Sequence, residues 1–544
     1  MNGTSQKYTL QDQNSLENYV NRAMAAQPKP GLILDSAATA KDLLDSAKNE
    51  AGAEVPKVLN ELLGKAPEAQ ESALIKAVLD GATVHSREHG FLPHGDLLLS
   101  ALHQCRSVYD SATNSHHDQI SLTTNAPVIA ILSALSEATP FAGYLPVDQG
   151  SNEARLIVVA HQAASDWGDY SRGDLMDGVK SGGVYLGAPR TLELSAPNSG
   201  KDYKFAFLAQ TEAGDAIILL RGRTIIYVNG LMAAMEVANA PSTSAQVNIG
   251  GIVRLDGQDY ALAGTVKPDT GEIVVTPTPA LPNGSIVTVE AFVDYEADDT
   301  KTPKMAVQAS AFSLFAAPFR AVYQVTPEAR SQFANEVGVD AGAEAMLAVR
   351  AQFAMERHYN ALKKVRMIGR FANKSEFDYD YQDQIKMKSQ SQIWQNFSSH
   401  VGAVSQQMAE DTADHGVTHL YVGKNVGTQF QAMPGELFEP SGITARPSIY
   451  RLGKLFGQYE VYYNPQANET ADGTASEIVA VGRSSQTARC PIIFGDAQAP
   501  FFEPLGTTEQ LKSGYGFSSR CFTHVNPHQM SAVGCAVINV KNLK

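Results

Sequence analysis

The sequence predicts an α+β fold, because segments with helical spacing and segments rich in short strands follow one another along the chain. Apolar residues recur three and four apart across roughly 35–110, and short strands separated by turn residues occupy 185–300. A long helical pattern begins at Asp340. A chain of 544 residues has room for about two to four domains.

The composition argues against a dedicated nucleic-acid binder. Lys and Arg number 43 and Asp and Glu number 57, which gives a net charge of −14, whereas phosphate contacts need clustered cations. An acidic chain can still enclose nucleic acid without holding it tightly. Charged residues make up 18% of the chain, below the usual share of roughly 25%, which favours extra surface covered by partner subunits.

Few motifs in the chain indicate a metal, a cofactor or a membrane. The four cysteines, Cys105, Cys490, Cys521 and Cys535, form no CxxC pair, so we expect buried free thiols in a reducing compartment. GxGxxG and GxSxG are both absent, and no cofactor is expected. The first residues lack the apolar segment of a signal peptide, and no run of 18 apolar residues indicates a membrane span.

The N-terminal part of the chain is expected to be helical after a polar start. Residues 1–33 predict a mobile arm, and roughly 35–110 predicts several short helices. Gly64 and Gly81 are interpreted as the ends of two of these helices. The apolar residues that share a helical face include Val58, Leu59, Leu62 and Leu63.

The middle of the chain predicts an inserted β domain. A strand is expected at 155–161, followed by a polar, glycine-rich stretch at 166–184 that indicates a long loop or hairpin arm. Residues 185–300 contain strand after strand at short spacing, with turn signals such as Asp256-Gly257 between them. This spacing predicts an all-β sandwich inserted into the arm.

The C-terminal part mixes helices and strands. Residues 306–325 are apolar and partly alternating, and Thr326-Pro327-Glu328 predicts a helix that ends at Gly338. Asp340 then starts a long helix to about residue 366, and another helix is expected at 384–412. Strands are predicted in HLYVGK, YEVYYNP, EIVAVGR and PIIFGD of the remaining residues.

The order of these segments resembles the major capsid proteins of tailed bacteriophages, the Hong Kong 97-type shell proteins. The segment from Thr326 to Val365 looks like the short helix and spine helix of that family, and Gly453–Tyr463 is similar to its axial-domain strand. The resemblance implies seven segments: 1–115, N-terminal arm and helical extension; 116–184, start of the capsid core and ascending E-loop; 185–300, inserted β-sandwich; 301–338, returning E-loop strand and short helix; 339–415, peripheral domain with spine helix; 416–500, axial domain; 501–544, closing strands of the peripheral domain.

The same resemblance implies a structural role without catalysis. Such a chain self-assembles as hexamers and pentamers into an icosahedral shell that encloses phage double-stranded DNA without sequence specificity. Its partners are copies of itself, portal and scaffold proteins, and decoration proteins, with no membrane. It would be assembled in the host bacterial cytoplasm and end in the virion capsid. The alternative within the same fold is an encapsulin-like nanocompartment shell.

One motif points to a different class of protein. His85-Ser86-Arg87-Glu88-His89 fits the H-x-x-E-H pattern of zinc peptidases, in which two histidines four apart on a helix bind one metal. The favoured interpretation of His85, Glu88 and His89 is a solvated helix end, with a zinc hydrolase as the alternative.

A basic cluster lies at the end of the long helix, in Lys363, Lys364, Arg366, Arg370 and Lys374. Two interpretations stay open. The favoured one is compensation of the helix dipole together with intersubunit salt bridges. The other is contact with packaged DNA at the inner surface of a shell.

Overall fold

The computed structural model describes residues 9–25, 56–113, 126–147, 150–197, 200–210, 213–237, 244–338, 340–507 and 511–543. The chain divides into two compact units. One consists of Met1–Val158 with Ser310–Lys544, and the other is Val159–Ala309.

Ten α-helices in the described ranges belong to the larger unit. They are α1 (Leu10–Ala25), α2 (Lys57–Leu63), α3 (Glu68–His89), α4 (Gly95–Thr113), α5 (Ala126–Ser136), α6 (Pro327–Gln332), α7 (Ala341–Ala372), α8 (Gln390–Thr412), α9 (Lys424–Gln431) and α10 (Gln529–Ala532). The predicted long helix is therefore α7, and it continues six residues past the predicted end at 366.

Two expectations about the N-terminal region are wrong. Part of the expected mobile arm, 10–25, is helix α1, and Leu16 and Val20 are buried in the same apolar cluster as α3, α4 and α7. Residues 1–8 and 26–55 of the expected arm and first helices lie outside the described residues. Gly81 does not end a helix but lies inside α3, where α5 crosses so closely that a Cβ would stand 2.6 Å from Leu135 Cδ1. The glycine is explained by close helix packing, and the region is an integral part of the core.

The strands number twenty-one within the described residues. They are β1 (Gly143–Tyr144), β2 (Glu153–Ala163), β3 (Pro189–Leu194), β4 (Tyr203–Ala206), β5 (Ile225–Val228), β6 (Leu231–Glu236), β7 (Val247–Leu255), β8 (Gln258–Lys267), β9 (Glu272–Thr278), β10 (Val287–Phe292), β11 (Met305–Phe315), β12 (Ala317–Val325), β13 (Lys374–Asp378), β14 (His419–Val422), β15 (Phe438–Pro440), β16 (Tyr450–Leu455), β17 (Tyr459–Tyr463), β18 (Ser476–Val481), β19 (Ile492–Leu505), β20 (Ser513–Val525) and β21 (Cys535–Lys541).

Two sheets organise the larger unit. A seven-stranded sheet has the order β13-β21-β18-β14-β17-β16-β15, and a four-stranded sheet has the order β1-β19-β20-β12. The predicted division at 415 and 500 separates strands that the structure joins, because β13 and β21 flank each other in the same sheet as β14 and β18. The final strand, β21, lies between β13 and β18 in that sheet. Its consecutive residues Ala536, Val537 and Ile538 are all buried, as in a strand covered on both faces.

The smaller unit is built on one eight-stranded antiparallel sheet in the order β3-β10-β5-β6-β7-β8-β9-β4. The strands that the sequence predicted as a sandwich form one continuous sheet, because β5 pairs with both β10 and β6 and so joins the two halves. The predicted Asp256-Gly257 turn does connect β7 to β8, and both residues have positive φ, 49° and 84°.

The polar stretch 166–184 is part of this unit and not a free arm. Trp167, Tyr170 and Tyr185 are buried in its apolar cluster. Gly168 donates its N–H to the Ala209 carbonyl oxygen at 2.7 Å, and its positive φ of 58° suits glycine. The sequence around these aromatic residues is rich in glycine and polar residues. The composition therefore indicated a loop.

Candidate functional site

The H-x-x-E-H motif occupies the last turns of α3, which ends at Gly90 with a left-handed φ of 83°. His85 is only 1% exposed, so the favoured interpretation of a solvated helix end is wrong for this residue. Its side chain faces α5, and its Nδ1 lies 3.1 Å from the Leu135 carbonyl oxygen. The motif is therefore a packing element of the interior.

The three motif residues are each held by a partner other than a metal. The Nδ1 atom of His89 lies 3.1 Å from the Tyr462 hydroxyl. Glu88 accepts two hydrogen bonds from Arg446, at 3.0 and 3.1 Å. Across the described ranges, no group of three or more His, Cys, Asp or Glu side chains is arranged to hold a metal ion. The geometry does not favour the zinc-hydrolase interpretation.

These two histidines belong to a larger aromatic cluster, which we call the histidine cluster: His85, His89, His94, His358 and His419. The His85 and His89 ring centroids are 4.5 Å apart. Phe91 contacts His85, His94 and His419, with centroid distances of 5.5, 5.4 and 6.1 Å. The cluster therefore forms one continuous set of rings.

The other side of the cluster reaches the seven-stranded sheet and α7. Tyr462 lies with its ring centroid 5.9 Å from both His89 and His419. His358, on α7, has its Nε2 atom 2.9 Å from the Tyr421 hydroxyl. Three parts of the fold that are far apart in sequence therefore meet at these rings.

The cluster is uncharged at neutral pH. Burial lowers the pKa of His85 and His94 to about 4, and that of His358 and His419 to about 3. Burial, followed by neighbouring histidines, also holds the pKa of His89 well below its ordinary value. The Nε2 atoms of His85 and His419 are buried and have no hydrogen-bond partner among the described residues.

A cavity of about 670 Å³ opens beside the cluster. Its charged and histidine lining residues are His94, His419, Arg483, Glu17, Asp96 and Glu460, and Phe91, Leu92 and uncharged polar residues complete the lining. Arg483 is already engaged by Asp96, with an Nη2–Oδ1 distance of 2.7 Å. Because this arginine is already paired, the lining does not favour an anion.

Most side chains of the basic cluster on and after α7 form hydrogen bonds or ion pairs with other groups of the same chain. Arg366 donates to both Glu477 carboxylate oxygens, at 2.5 and 2.8 Å, and Arg370 adds a third bond at 3.0 Å. Lys364 donates to the Thr523 carbonyl oxygen. Lys363 and Lys374 are exposed, and no ion pair within the described parts of the chain involves either.

A long exposed apolar surface lies on β11 and β12, which we call the apolar arm (Met305–Val325). No charged residue occurs from Met305 to Phe319. Val307 is 68% exposed and Val322 is 67% exposed. The predicted apolar segment is confirmed as strand, with both faces of β11 largely in contact with solvent.

Both strands of the apolar arm have an open edge. β12 pairs with β20 over all nine of its residues and ends the four-stranded sheet, so no described strand pairs with its other side. β11 pairs only with β2, in a two-stranded ribbon. The carbonyl oxygen of Asn152 accepts the Ala316 N–H at 2.9 Å where the ribbon begins.

Helix α7 also presents apolar side chains to solvent. Leu347, Met367 and Phe371 are exposed, and Phe371 is 90% exposed at the last turn. Phe353 instead packs against Phe319 and Phe517 with centroid distances of 5.3 and 5.4 Å. One side of α7 thus anchors β12 and β20, and another side remains uncovered.

The remaining sequence-predicted features are placed as follows. All four cysteines are buried and free. No helix in the described ranges combines the length and the apolar character that crossing a membrane requires. Sequence reasoning missed His94, His358 and His419 as members of the histidine cluster, because no local spacing links residues that meet only through the tertiary fold.

Comparisons with known proteins give structural similarity alone. No protein-family model and no curated protein matches the chain. The chain is similar to the capsid of jumbo bacteriophage PhiKZ, with 8% identity and a TM-score of 0.37, over 74% of this chain and 91% of that one. It is also similar to the capsid of Myoviridae phage XM1, with 9% identity and a TM-score of 0.28, over 60% of this chain and 90% of that one.

A third solved structure is of a different kind. The holo-SrpI encapsulin complex from Synechococcus elongatus PCC 7942 matches with 9% identity and a TM-score of 0.28, over 44% of this chain and 79% of that one. Phage capsids and an encapsulin are the two classes that the sequence resemblance named.

Proposed function

We propose that this chain is the major capsid protein of a tailed bacteriophage, of the Hong Kong 97 type. In this proposal it self-assembles as hexamers and pentamers into an icosahedral shell around double-stranded DNA. The single observation that carries the proposal is the apolar arm. It is long, uncharged from Met305 to Phe319, and open at its strand edges.

An isolated two-stranded ribbon with apolar side chains on both faces is marginal in water. Long, uncharged edge strands are also sites where a second chain adds to a sheet. The β11 strand combines both properties, and Val307 and Phe315 are among its exposed side chains. A copy of the same chain is the partner that this surface favours, because identical head-to-tail contacts close into rings.

The rest of the fold suits a shell subunit. In the proposal, α7 is the spine helix, and β2 and β11 form the E-loop that carries the smaller unit. The exposed Leu347 and Phe371 of α7 offer further area for contacts between copies. The net charge of −14 suits a container that encloses DNA without gripping it.

The proposal extends to partners and place. Portal, scaffold and decoration proteins would contact the shell, and assembly would occur in the cytoplasm of the host bacterium before the chain becomes part of the virion. Lys363 and Lys374 are the members of the basic cluster that remain candidates for contact with DNA, since Arg366 and Arg370 are paired with Glu477. No catalytic residue and no cofactor enters this proposal.

Charge placed on the arm tests the proposal. Val307→Lys and Val322→Lys each put a cation on an exposed strand that we propose to be covered by a neighbour, so both should abolish assembly while the subunit stays folded. Val179→Lys is the matched control, because Val179 is similarly exposed but lies outside both strands of the arm. Electron microscopy and sedimentation of the full-length proteins measure the outcome.

Two results contradict the proposal in different ways. Shells of normal size from both arm variants would show that the arm is not the assembly surface. Wild-type protein that stays monomeric in every salt condition, with and without co-expressed phage proteins, would count against a shell subunit altogether. The content of purified particles separates the alternatives, because double-stranded DNA supports a capsid and an enzyme cargo supports an encapsulin-like compartment.

A further inference from the structure

We propose that the histidine cluster is an acid-sensitive latch, which joins the helical region 57–113 to the seven-stranded sheet and releases it when the pH falls. The inference rests on the packing of these rings and holds whether or not the chain builds a shell. It assigns a role to the H-x-x-E-H motif, which the proposed function leaves unused.

The latch has two halves that come from different parts of the fold. His85 and His89 belong to α3, and His94 belongs to the connection from α3 to α4. The facing half consists of His419 on β14 and His358 on α7. Phe91 and Phe141 fill the space between the halves, with Phe141 6.0 Å from His358 and 6.5 Å from His419 between ring centroids.

Neutral imidazoles suit this packing and imidazolium ions do not. Protonating both His85 and His89 would place two cations with ring centroids 4.5 Å apart, in a buried setting where like charges repel strongly. Arg483 faces His85, His94 and His419, and Arg451 faces His89, so cations already border the cluster on the sheet side.

The acidic groups that border the cluster are already engaged. Asp96 bonds Arg483 at 2.7 Å and also accepts the Tyr144 N–H at 2.9 Å. Glu460 bonds Arg451 at 2.6 Å.

Two further carboxylates near the cluster are engaged in the same way. Glu88 is held by both Nη atoms of Arg446. Glu17 accepts the Gly95 N–H at 2.9 Å. Asp96, Glu460 and Glu88 are already paired with arginines, so a newly charged ring would have to share each of them with an existing cation. The tyrosines 421 and 462 cannot neutralise it either, because burial raises their pKa well above the ordinary value.

The direction of the pH effect follows from linkage. A histidine that stays neutral in the packed cluster but has an ordinary pKa near 6.5 once released takes up a proton on release. Release is then favoured as the pH falls below about 6.5, by up to about tenfold per pH unit for each such histidine. The effect stops growing near pH 4 for His85 and His94, and near pH 3 for His358 and His419.

The smaller unit supplies an internal comparison. Its one histidine, His161, is exposed and lies 3.1 Å from Asp177, outside any cluster of rings. Between pH 6.5 and 4.5 the unit therefore has no buried neutral histidine whose release takes up a proton. Acid in this range should open the helical region first.

The buried thiols report the opening in the full-length chain. Cys105 lies on α4 in the helical region, and Cys521 lies on β20 in the four-stranded sheet. Labelling with 4,4′-dithiodipyridine, which reacts with thiols in acid, is followed by peptide mass spectrometry from pH 7.5 to 4.5. Each rate is divided by the rate of the same thiol in denatured protein at that pH.

We expect the protection of Cys105 to fall by more than tenfold per pH unit below about pH 6.5, while Cys521 stays protected. The double variant His89→Gln/His358→Gln removes two titrating rings. In this variant the fall in Cys105 protection per pH unit should be smaller than in wild type, by a factor of up to about one hundred. His161→Gln is the matched control, because His161 is an exposed histidine of the smaller unit outside the cluster, and the Cys105 profile of this variant should equal that of wild type.

Two outcomes would overturn the latch. In the first, Cys105 keeps its protection in the wild-type protein down to pH 4.5. In the second, Cys105 and Cys521 lose their protection together, which indicates global acid unfolding. The wild-type comparison of these two thiols decides the question even where the double variant fails to fold.

Discussion

At the scale of single residues, glycines inside helices show how the core is packed. Gly81 lies within α3, and a Cβ there would stand 2.6 Å from Leu135 Cδ1 and 3.2 Å from Leu135 Cβ. Gly402 lies within α8, and a Cβ there would meet nothing within 4 Å. Glycine therefore allows close packing of two helices at position 81, whereas the space around position 402 does not require a glycine.

Alanine at these two glycines should shift stability in opposite directions. Gly81→Ala should destabilise the larger unit by about 1–3 kcal/mol, because buried Leu135 must move in a packed core. Gly402→Ala should stabilise it by about 0.5–1 kcal/mol, since alanine loses less backbone entropy in a helix. Thermal unfolding of both variants measures the shifts. Equal shifts in both would contradict close packing of α3 against α5.

At the scale of elements, α7 is fastened to the seven-stranded sheet by a buried carboxylate. Glu477 on β18 is only 4% exposed and accepts bonds from Arg366, Arg370 and Asn468. Burial alone would raise the pKa of Glu477, but the two guanidinium groups hold it below its ordinary value. Its contribution to stability is present above the ordinary pKa of about 4.3 and is lost as the pH falls through the lower folded pKa.

Glu477→Gln should loosen this attachment. Removing the charge weakens the hydrogen bonds from Arg366 and Arg370, and we expect a loss of about 1–3 kcal/mol, limited because both arginines reach solvent. Glu376→Gln is the matched control, because its ion pair with Lys541 is exposed on both sides and should contribute nothing measurable. Denaturant unfolding at pH 7 compares them, and equal midpoints would contradict a structural role for Glu477.

Local signals in the sequence predicted where helices start. Contacts between residues far apart in the sequence could not be predicted in this way. Thr326 and Asp340 were expected to start helices, and each accepts a backbone N–H, from Ala329 at 3.4 Å and from Gly342 at 2.9 Å. The burial of the H-x-x-E-H motif was missed, because the partner of His89, Tyr462, is 373 residues away. The pairing of Arg366 with Glu477, 111 residues apart, was missed for the same reason.

At the scale of the whole molecule, the chain combines two units with separate cores. The apolar cluster of residues 159–309 contains only residues of that unit, and its eight strands pair among themselves. The strand-rich sequence predicted the existence of this unit, but the range 185–300 leaves out Ala163, Trp167 and Tyr170, which belong to its core. Folding of the smaller unit is therefore expected to depend on residues 159–309 alone.

Residues 159–309 expressed alone should fold cooperatively. The two ends of the segment are already joined, since the Lys304 carbonyl oxygen accepts the Ala164 N–H at 2.7 Å and the Tyr185 hydroxyl at 2.5 Å. A domain of about 150 residues buries enough surface to fold without help. Circular dichroism should show one sharp thermal transition, and the isolated segment should remain monomeric because it lacks β12 and most of the uncharged part of β11. A broad, non-cooperative transition would mean that this unit needs the larger one, and self-assembly of the segment alone would move the proposed assembly surface away from the apolar arm.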